Sequence, residues 1–445
     1  MEHIDSEEGH NDILVPDYFK NLSVSQSCEN NEVYVSSVGC LPKFCGCPFR
    51  KMCTNPELVK TKFKFYSQTN RSKPYEVDYE LKRISKAPFN NKSLTVFITH
   101  GFLGIALWSE WYARLINLYL DKLKEINLIL IDWSQSTGFL PPTFAETITV
   151  GYQTAQLVKK LSEEREMDPS KVRFIGFSLG GQLAALASRF TFNLTGAKFD
   201  EILALDPAGP CYKRSKFHIN RNDAKVVKII HTDRGGSGTS RLTGHVDVCP
   251  NGGQKQPGCP RISAIPCSHL RVIPLINFDL NKYGNCQIVA YQCKGYDEFL
   301  KGRCASCTNN RCQLMGHEVQ SFDSQQSLVI GQSEFRRTCF YTKTSASEPY
   351  CEYQFQLVAN TDQKIKAECS SIKVEAKSER NHSQVVDLKK HTANTYTGLV
   401  NFEMQKVDFT NPGRISTVFI RKQSTSNCAQ YIKDINVNFM SNIDK

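Results

Sequence analysis

Gly176-Phe177-Ser178-Leu179-Gly180 places a serine between two glycines at the end of Val172–Phe177, an apolar run that reads as a strand. The stretch that follows, Leu179–Phe192, reads as a helix rich in small residues: Gly180, Gly181, Ala184, Ala185 and Ala187. A tight strand–turn–helix of this kind lifts a serine side chain off the end of a sheet, and small neighbours relieve the crowding at the bend. The bare G-x-S-x-G text is common by chance, so the context carries the reading. The chemistry it suggests is nucleophilic. A hydroxyl is a weak nucleophile at neutral pH and needs a base, which in turn needs an acid to orient it.

Asp206 closes the next apolar run, Leu203-Ala204-Leu205-Asp206-Pro207, at the strand end that faces the nucleophile. An Asp before Pro is also a common way to start a turn. His218, His231, His245, His269 and His317 all follow it, and the pattern does not choose among them. Acyl transfer also requires N–H donors for the developing oxyanion. The N–H of Leu179, just after the nucleophile, is one candidate. The other is the N–H of Phe102, where Thr99-His100-Gly101-Phe102 ends an early strand and Gly101 lets the backbone turn close to a substrate.

The elements that must hold these residues read as nearly continuous apolar runs: Thr95–His100, Asn127–Asp132, Val172–Phe177, Glu201–Asp206 and Val226–Thr232. Such runs suit a parallel sheet covered on both faces. A long helix is expected over Phe144–Glu166, ending before Asp168-Pro169. Strands alternating with helices give an open α/β sheet. From about 335 the pattern becomes short strands, Glu352–Ala359, Ile372–Ala376, Thr397–Phe402 and Ser416–Arg421, which predicts a β-sandwich. Three units are expected: a cysteine-rich lead-in over 1–57, a catalytic domain over 58–334 and the sandwich over 335–445.

The chain has 445 residues, a net charge of +11, 40% hydrophobic and 22% charged residues, all ordinary for a globular protein. The positive charge is spread out; it favours an anionic surface such as phospholipid head groups over nucleic acid, for which no dense Lys/Arg block exists. Eighteen cysteines, clustered as in Cys40–Cys53 and Cys293–Cys312, imply disulfides and an oxidising compartment. Zinc is the weaker reading, because Cys40–Cys53 has no neighbouring His and no paired CxxC. Sequons at Asn21, Asn70, Asn91, Asn193 and Asn381 agree with secretion. The opening MEHIDSEEGH has no apolar signal core, so a signal is expected to lie outside this sequence. No apolar run reaches the roughly 18 residues of a membrane span.

The order Ser, acid, His is that of α/β-hydrolases, and beyond it the sequence resembles the pancreatic-lipase family of neutral animal lipases. The resemblance runs from about 58 to the end and is weaker beyond about 320. It is carried by Val59–Phe63, Thr99–Phe102, Ile131-Asp132-Trp133, Gly176–Gly181 and Leu205–Pro210, then by His231-Thr232-Asp233, Gly244–Asp247, Pro250–Gly253 and Cys267-Ser268-His269-Leu270-Arg271. It implies an α/β-hydrolase domain with a triad of Ser178, Asp206 and His269, and leaves His245 a structural role. It further implies disulfides Cys259–Cys267, Cys293–Cys304 and Cys307–Cys312. A lipid-associating sandwich of the PLAT type would be entered through Cys339–Thr344. No cofactor is implied.

Two departures from the family pattern bear on substrate. Family members that digest triacylglycerol close a lid of some twenty residues with a disulfide before the histidine; here Cys259 and Cys267 enclose only Pro260–Pro266. The loop Arg234–Thr243 is also short, and polar. This double shortening resembles the phospholipase A1 members, so the expectation is a secreted esterase releasing the sn-1 acyl chain of glycerophospholipids. A short-lid triacylglycerol or galactolipid lipase is the alternative. A catalytically silent lipid-binding or yolk-type protein is a third reading, and an unbroken elbow and acid argue against it. At the family's calcium position Asp223 matches, whereas Ser215, His218 and Asn220 replace the other ligands, so no metal is expected.

Overall fold

The computed structural model describes residues 32–35, 39–42, 59–102, 109–136, 144–213, 215, 217–260, 266–276, 288–315, 338–361, 370–378, 383–403, 415–420 and 432–440. Most of the expected lead-in, His317, the sequons Asn21 and Asn381 and the residues 261–265 lie outside them.

Glu32–Val35 (β1) and Gly39–Pro42 (β2) form an antiparallel pair. The main body then runs Lys62–Tyr66 (β3), Tyr75–Asp78 (β4), Leu94–Thr99 (β5), Ser109–Lys122 (α1), Ile126–Asp132 (β6), Phe144–Arg165 (α2), Val172–Phe177 (β7), Leu179–Thr195 (α3) and Phe199–Leu205 (β8). It continues through Ala224–Ile230 (β9), Val246–Pro250 (β10), Cys267–Leu270 (α4), Val272–Ile276 (α5), Val289–Gln292 (β11), Cys312–Leu314 (β12) and Phe340–Thr342 (β13). These strands build one eleven-stranded sheet in the order β12-β11-β13-β10-β9-β8-β7-β5-β6-β3-β4. The centre, from β6 to β13, is parallel, and both edges are antiparallel. Every residue of β6 is buried, as a strand covered on both faces requires.

Helices cover both faces. Trp111, Tyr112, Leu115 and Tyr119 of α1 share a buried cluster with Val96, Ile98 and Leu128. On the other face Leu157 and Leu161 of α2 and Leu183 of α3 pack with Phe97, Ile129 and Phe174. Among the described residues no helix is long and apolar enough to cross a membrane. Strand order reverses between β5 and β7: β6 lies to one side of β5 and β7 to the other. The carboxyl ends of β5 and β7 therefore border a crevice, the place where open α/β sheets hold ligands.

The second domain contains Glu352–Thr361 (β14), Ser371–Ser378 (β15), Ser383–Lys390 (β16), Thr395–Glu403 (β17), Ile415–Ile420 (β18) and Ile432–Phe439 (β19), ordered β18-β15-β16-β17-β14-β19 and antiparallel throughout. β16 and β17 pair only at Lys389–Thr397 and Lys390–Tyr396, and at that corner the sheet folds over. Ile372, Val374 and Leu388 of one layer then share a core with Leu357, Ala359 and Val400 of the other, which makes a β-sandwich. It is tied to the first domain by Gln356 Nε2 to the Gly302 carbonyl (2.6 Å) and Arg303 Nη2 to the Lys390 carbonyl (2.7 Å).

Phe340–Thr342, read from sequence as the entry to the sandwich, lies instead inside the first sheet, paired with β10 on one side and β11 on the other. A three-residue strand carries too little alternation to announce which sheet it joins. The first sheet thus extends past the boundary expected at 335.

Candidate active site

Ser178 stands between β7 and α3 with φ 55° and ψ −118°, outside the comfortable range of an L residue. The surroundings hold it there: its N–H donates to the Leu205 carbonyl at 2.9 Å, and its own carbonyl accepts from Ala208 N–H at 3.0 Å. The bend is closed tightly enough that a Cβ on Gly176 would fall 2.1 Å from the Gly180 oxygen. Glycine there is a steric requirement.

Asp206 follows β8, fully buried, with φ 41°. Its Oδ1 accepts the Thr232 N–H at 2.9 Å and the Asp233 N–H at 3.2 Å. Its Oδ2 lies 2.6 Å from Nδ1 of His269, which sits in the short helix α4. The other ring nitrogen, Nε2, lies 2.9 Å from Ser178 Oγ. With Nδ1–H donating to the carboxylate, Nε2 keeps a lone pair toward the hydroxyl, as general-base activation of a serine requires. The Phe177 ring packs 4.9 Å from the imidazole and limits its rotation. Ser178 and His269 are 6% and 7% exposed.

Three of the other candidate histidines, His218, His231 and His245, are engaged elsewhere. His218 joins its Nδ1 to the Ile219 carbonyl (2.6 Å) and its Nε2 to Thr239 Oγ1 (2.8 Å). Burial, reinforced by Arg241, pushes its pKa down to about 4. His231 Nε2 meets Asp247 Oδ1 at 2.8 Å, and His245 Nδ1 accepts the Val227 N–H at 2.9 Å. The oxyanion candidates lie at the same crevice. Leu179 is the first residue of α3, and Gly101, just before Phe102, is so close to Ser178 that an added Cβ would lie 2.7 Å from the serine Cβ.

The amides of Thr232 and Asp233 complete the seating of Asp206. Sequence gives no direct sign of them, since every residue has an N–H. Asp233 also brings a second carboxylate to within 4.8 Å of Asp206 and His269. Its Oδ2 accepts the Ser237 N–H at 2.8 Å, and the Asp206 oxygens are taken by His269 and two amides.

The sequence model of the lipase family matches residues 32–350. The chain belongs to the pancreatic-lipase family. The lipoprotein lipase of Gallus gallus is 29% identical over 328 residues, covering 68% of this chain and 64% of that protein. The lipoprotein lipase of Homo sapiens is 30% identical over 298 residues, covering 62% and 59%. The chain thus spans less than two thirds of the length of these relatives. Among solved structures, a hyperthermophilic esterase from the archaeon Pyrobaculum calidifontis, 20% identical, overlaps 33% of this chain and 45% of that one with a TM-score of 0.22. The fold rests on the sheet described above.

At the position where the resemblance implies a calcium site, Asp223 is paired with an arginine. Arg189 of α3 donates Nε to Asp223 Oδ1 at 2.6 Å and Nη2 to Oδ2 at 2.9 Å, both side chains buried. Asp223 Oδ2 also accepts the Asn220 N–H at 2.7 Å, Ser215 Oγ accepts the Phe217 N–H, and Asn220 Oδ1 accepts the Asn222 N–H. The one carboxylate already has a counter-charge, so this donor set does not fit a divalent ion.

Cysteines 259 and 267 are joined eight residues apart, immediately before His269. Cys293–Cys304 and Cys307–Cys312 are also bonded, as are Cys249 and Cys339. Arg271 braces the histidine helix from behind: Nη1 donates to the Ala346 carbonyl at 2.9 Å and the guanidinium lies 5.2 Å from the Tyr350 ring centre.

Proposed function

We propose that this protein is a secreted carboxylic-ester hydrolase that releases the sn-1 fatty acid of glycerophospholipids. The observation that carries the hydrolase reading is the relay of 2.6 and 2.9 Å from Asp206 through His269 to Ser178. In this reading Ser178 Oγ passes its proton to His269 Nε2 and attacks the ester carbonyl. The resulting oxyanion is met by the N–H groups of Leu179 and Phe102. The intermediate collapses as His269 protonates the departing lysophospholipid alcohol. Water, deprotonated by the same nitrogen, then frees the fatty acid and restores the serine. The chain's own residues supply every proton transfer, and no step calls on a metal or cofactor. The sandwich would hold the enzyme against lipid, and the disulfides support an extracellular setting.

The phospholipid assignment rests on the loop before His269. Seven residues, Pro260–Pro266, are tied at both ends by one disulfide. Fully extended they reach about 25 Å at most, and a proline at each end restricts them further. A loop this short leaves the crevice open to water and admits a bulky polar head group. The names of the relatives favour a second reading, hydrolysis of another glycerolipid such as triacylglycerol. The deciding assay offers vesicles of a phosphatidylcholine with distinct sn-1 and sn-2 acyl chains and an emulsion of trioleoylglycerol, at equal surface concentration. Preferred release of the sn-1 chain from phosphatidylcholine, abolished by Ser178→Ala, is expected. Preference for triglyceride would replace the first reading by the second.

A further inference from the structure

We infer that His100 is a positioning residue that orients the peptide bearing the second oxyanion donor, an inference that rests on the proposed acyl transfer at Ser178. His100 follows β5 and is fully buried. Its ring stacks on Trp133, centroids 5.2 Å apart and planes 8° from parallel. Nε2 lies 3.1 Å from the Trp133 backbone N–H, and the Trp133 indole N–H donates back to the His100 carbonyl at 3.3 Å. Nδ1 lies 2.9 Å from the Gly101 carbonyl oxygen. Asp132 Oδ1 also approaches Nε2, but at 3.7 Å it is beyond hydrogen-bond range. The backbone N–H therefore decides the tautomer: Nε2 accepts, Nδ1 carries the proton, and Nδ1–H donates to the Gly101 oxygen.

That bond has a consequence one atom away. The Gly101 carbonyl and the Phe102 N–H belong to a single planar trans peptide and point in opposite directions. Holding the oxygen toward the buried imidazole turns the N–H away from it. Gly101 abuts the nucleophile, since an added Cβ would lie 2.7 Å from Ser178 Cβ and 3.3 Å from its Oγ. Glycine leaves the neighbouring peptide freer to rotate than any other residue, so an external donor is needed to fix it. A rotated peptide would do worse than lose a donor, because it would turn a carbonyl oxygen toward the developing negative charge. His100 thus acts on the reaction through Gly101 without touching substrate.

Two amide substitutions separate the two ring nitrogens. Asn places its side-chain nitrogen near the position of Nδ1 and can still donate to Gly101. Gln places its oxygen near Nε2, satisfies Trp133 and loses the Gly101 donor. On a soluble short-chain ester, His100→Gln should lower kcat about 100-fold with KM within about two-fold, because losing one oxyanion donor costs about 10²–10³ in kcat. His100→Asn should stay within about ten-fold of wild type. The ratio of ester to thionoester hydrolysis should fall in His100→Gln, since the sulfur analogue draws little from the oxyanion donors. Trp133→Phe loosens the same packing while leaving both ring nitrogens their partners; it should lower the unfolding midpoint and leave kcat within about two-fold, unlike loss of an oxyanion donor. Equal losses in the Asn and Gln variants, a wild-type ester-to-thionoester ratio in the Gln variant, or a fall of kcat in Trp133→Phe as large as in His100→Gln would each overturn the inference. Should His100→Gln not fold, a loss beyond about ten-fold in His100→Asn overturns it equally, since that variant keeps the donor. Wild-type hydrolysis that survives Ser178→Ala would instead overturn the proposed reaction, and that control needs no His100 variant.

Discussion

Replacing Asp206 by Asn exchanges one oxygen for NH2 at nearly constant shape, and the surrounding bonds dictate where that NH2 goes. Oδ1 accepts two backbone N–H groups, from Thr232 at 2.9 Å and Asp233 at 3.2 Å. If the Asn turned its NH2 toward them, two buried amides would be orphaned, at about 1–3 kcal/mol each. The amide oxygen therefore stays with the backbone, and the NH2 faces His269 Nδ1 across the position now 2.6 Å wide. Two donors cannot face each other, so His269 moves its proton to Nε2 and can no longer take one from Ser178. The same substitution in a serine-protease triad lowers kcat about 10⁴-fold with geometry intact, which corresponds to about 5.5 kcal/mol of barrier. The assay is kcat and KM on a soluble ester beside a urea unfolding curve. The expected result is a loss of about four powers of ten in kcat with KM within a few-fold and little change in the unfolding midpoint. A variant that keeps more than about a tenth of wild-type kcat refutes the tautomer argument, and the nearby Asp233 carboxylate would then be the group to examine.

Four other outcomes follow from the structure. Arg189→Met leaves the Asp223 carboxylate buried without its counter-charge and should destabilise the protein by about 3–5 kcal/mol in urea unfolding, with Asp223→Asn in the same background recovering much of the loss; a cost below about 1 kcal/mol would contradict the pairing. By the same bond, millimolar calcium should barely move the wild-type melting temperature, and a rise of many degrees would show a site that binds it. His218 is held neutral by burial, with its pKa pushed down from 6.5 to about 4, so the unfolded chain binds the extra proton between those values. Stability should therefore fall as pH drops from about 6.5 to about 4, by about 3 kcal/mol at most, and His218→Gln should flatten that slope; an unchanged slope would remove His218 as its source. Finally, hydrolysis of a short soluble ester should rise smoothly through the concentration at which the substrate forms an interface, because the loop from Cys259 to Cys267 has little apolar surface to swing away. A sharp jump in rate would favour the triglyceride reading.

The fold was legible where strands are long and buried. The runs ending at His100, Phe177 and Asp206 show their burial as unbroken apolar sequence, and their ends fix which residues meet at the crevice. Asp206 and Ser178 lie on adjacent strands, so their approach could be read from strand order. The histidine could not. His269 sits in a short helix after a disulfide loop, and nothing local distinguishes it from His218 or His231, both buried beside other partners. Only likeness to known lipases singled it out. Arg189 and Asp223 are 34 positions apart, and an arginine on a small-residue helix gives no hint of a buried carboxylate opposite. The hydrogen bonds of the His100 ring run to backbone atoms, which sequence does not spell.

The strand Phe340–Thr342 has a consequence for the order in which the protein is made. It lies between β10 and β11, so β11 and β12 join the sheet only through it. A chain growing from the ribosome can bring together β3 to β10, with Ser178 and Asp206 already seated, while the open edge of β10 waits for residues about ninety positions further on. Cys249 waits with it, since its disulfide partner Cys339 directly precedes that strand. Until then β10 presents unpaired N–H and C=O groups beside a thiol, the kind of edge on which neighbouring chains stick. Cutting the chain at 335 to isolate the first domain would make that waiting state permanent. A cut after about 350 would let the sheet close and the sulfur find its partner.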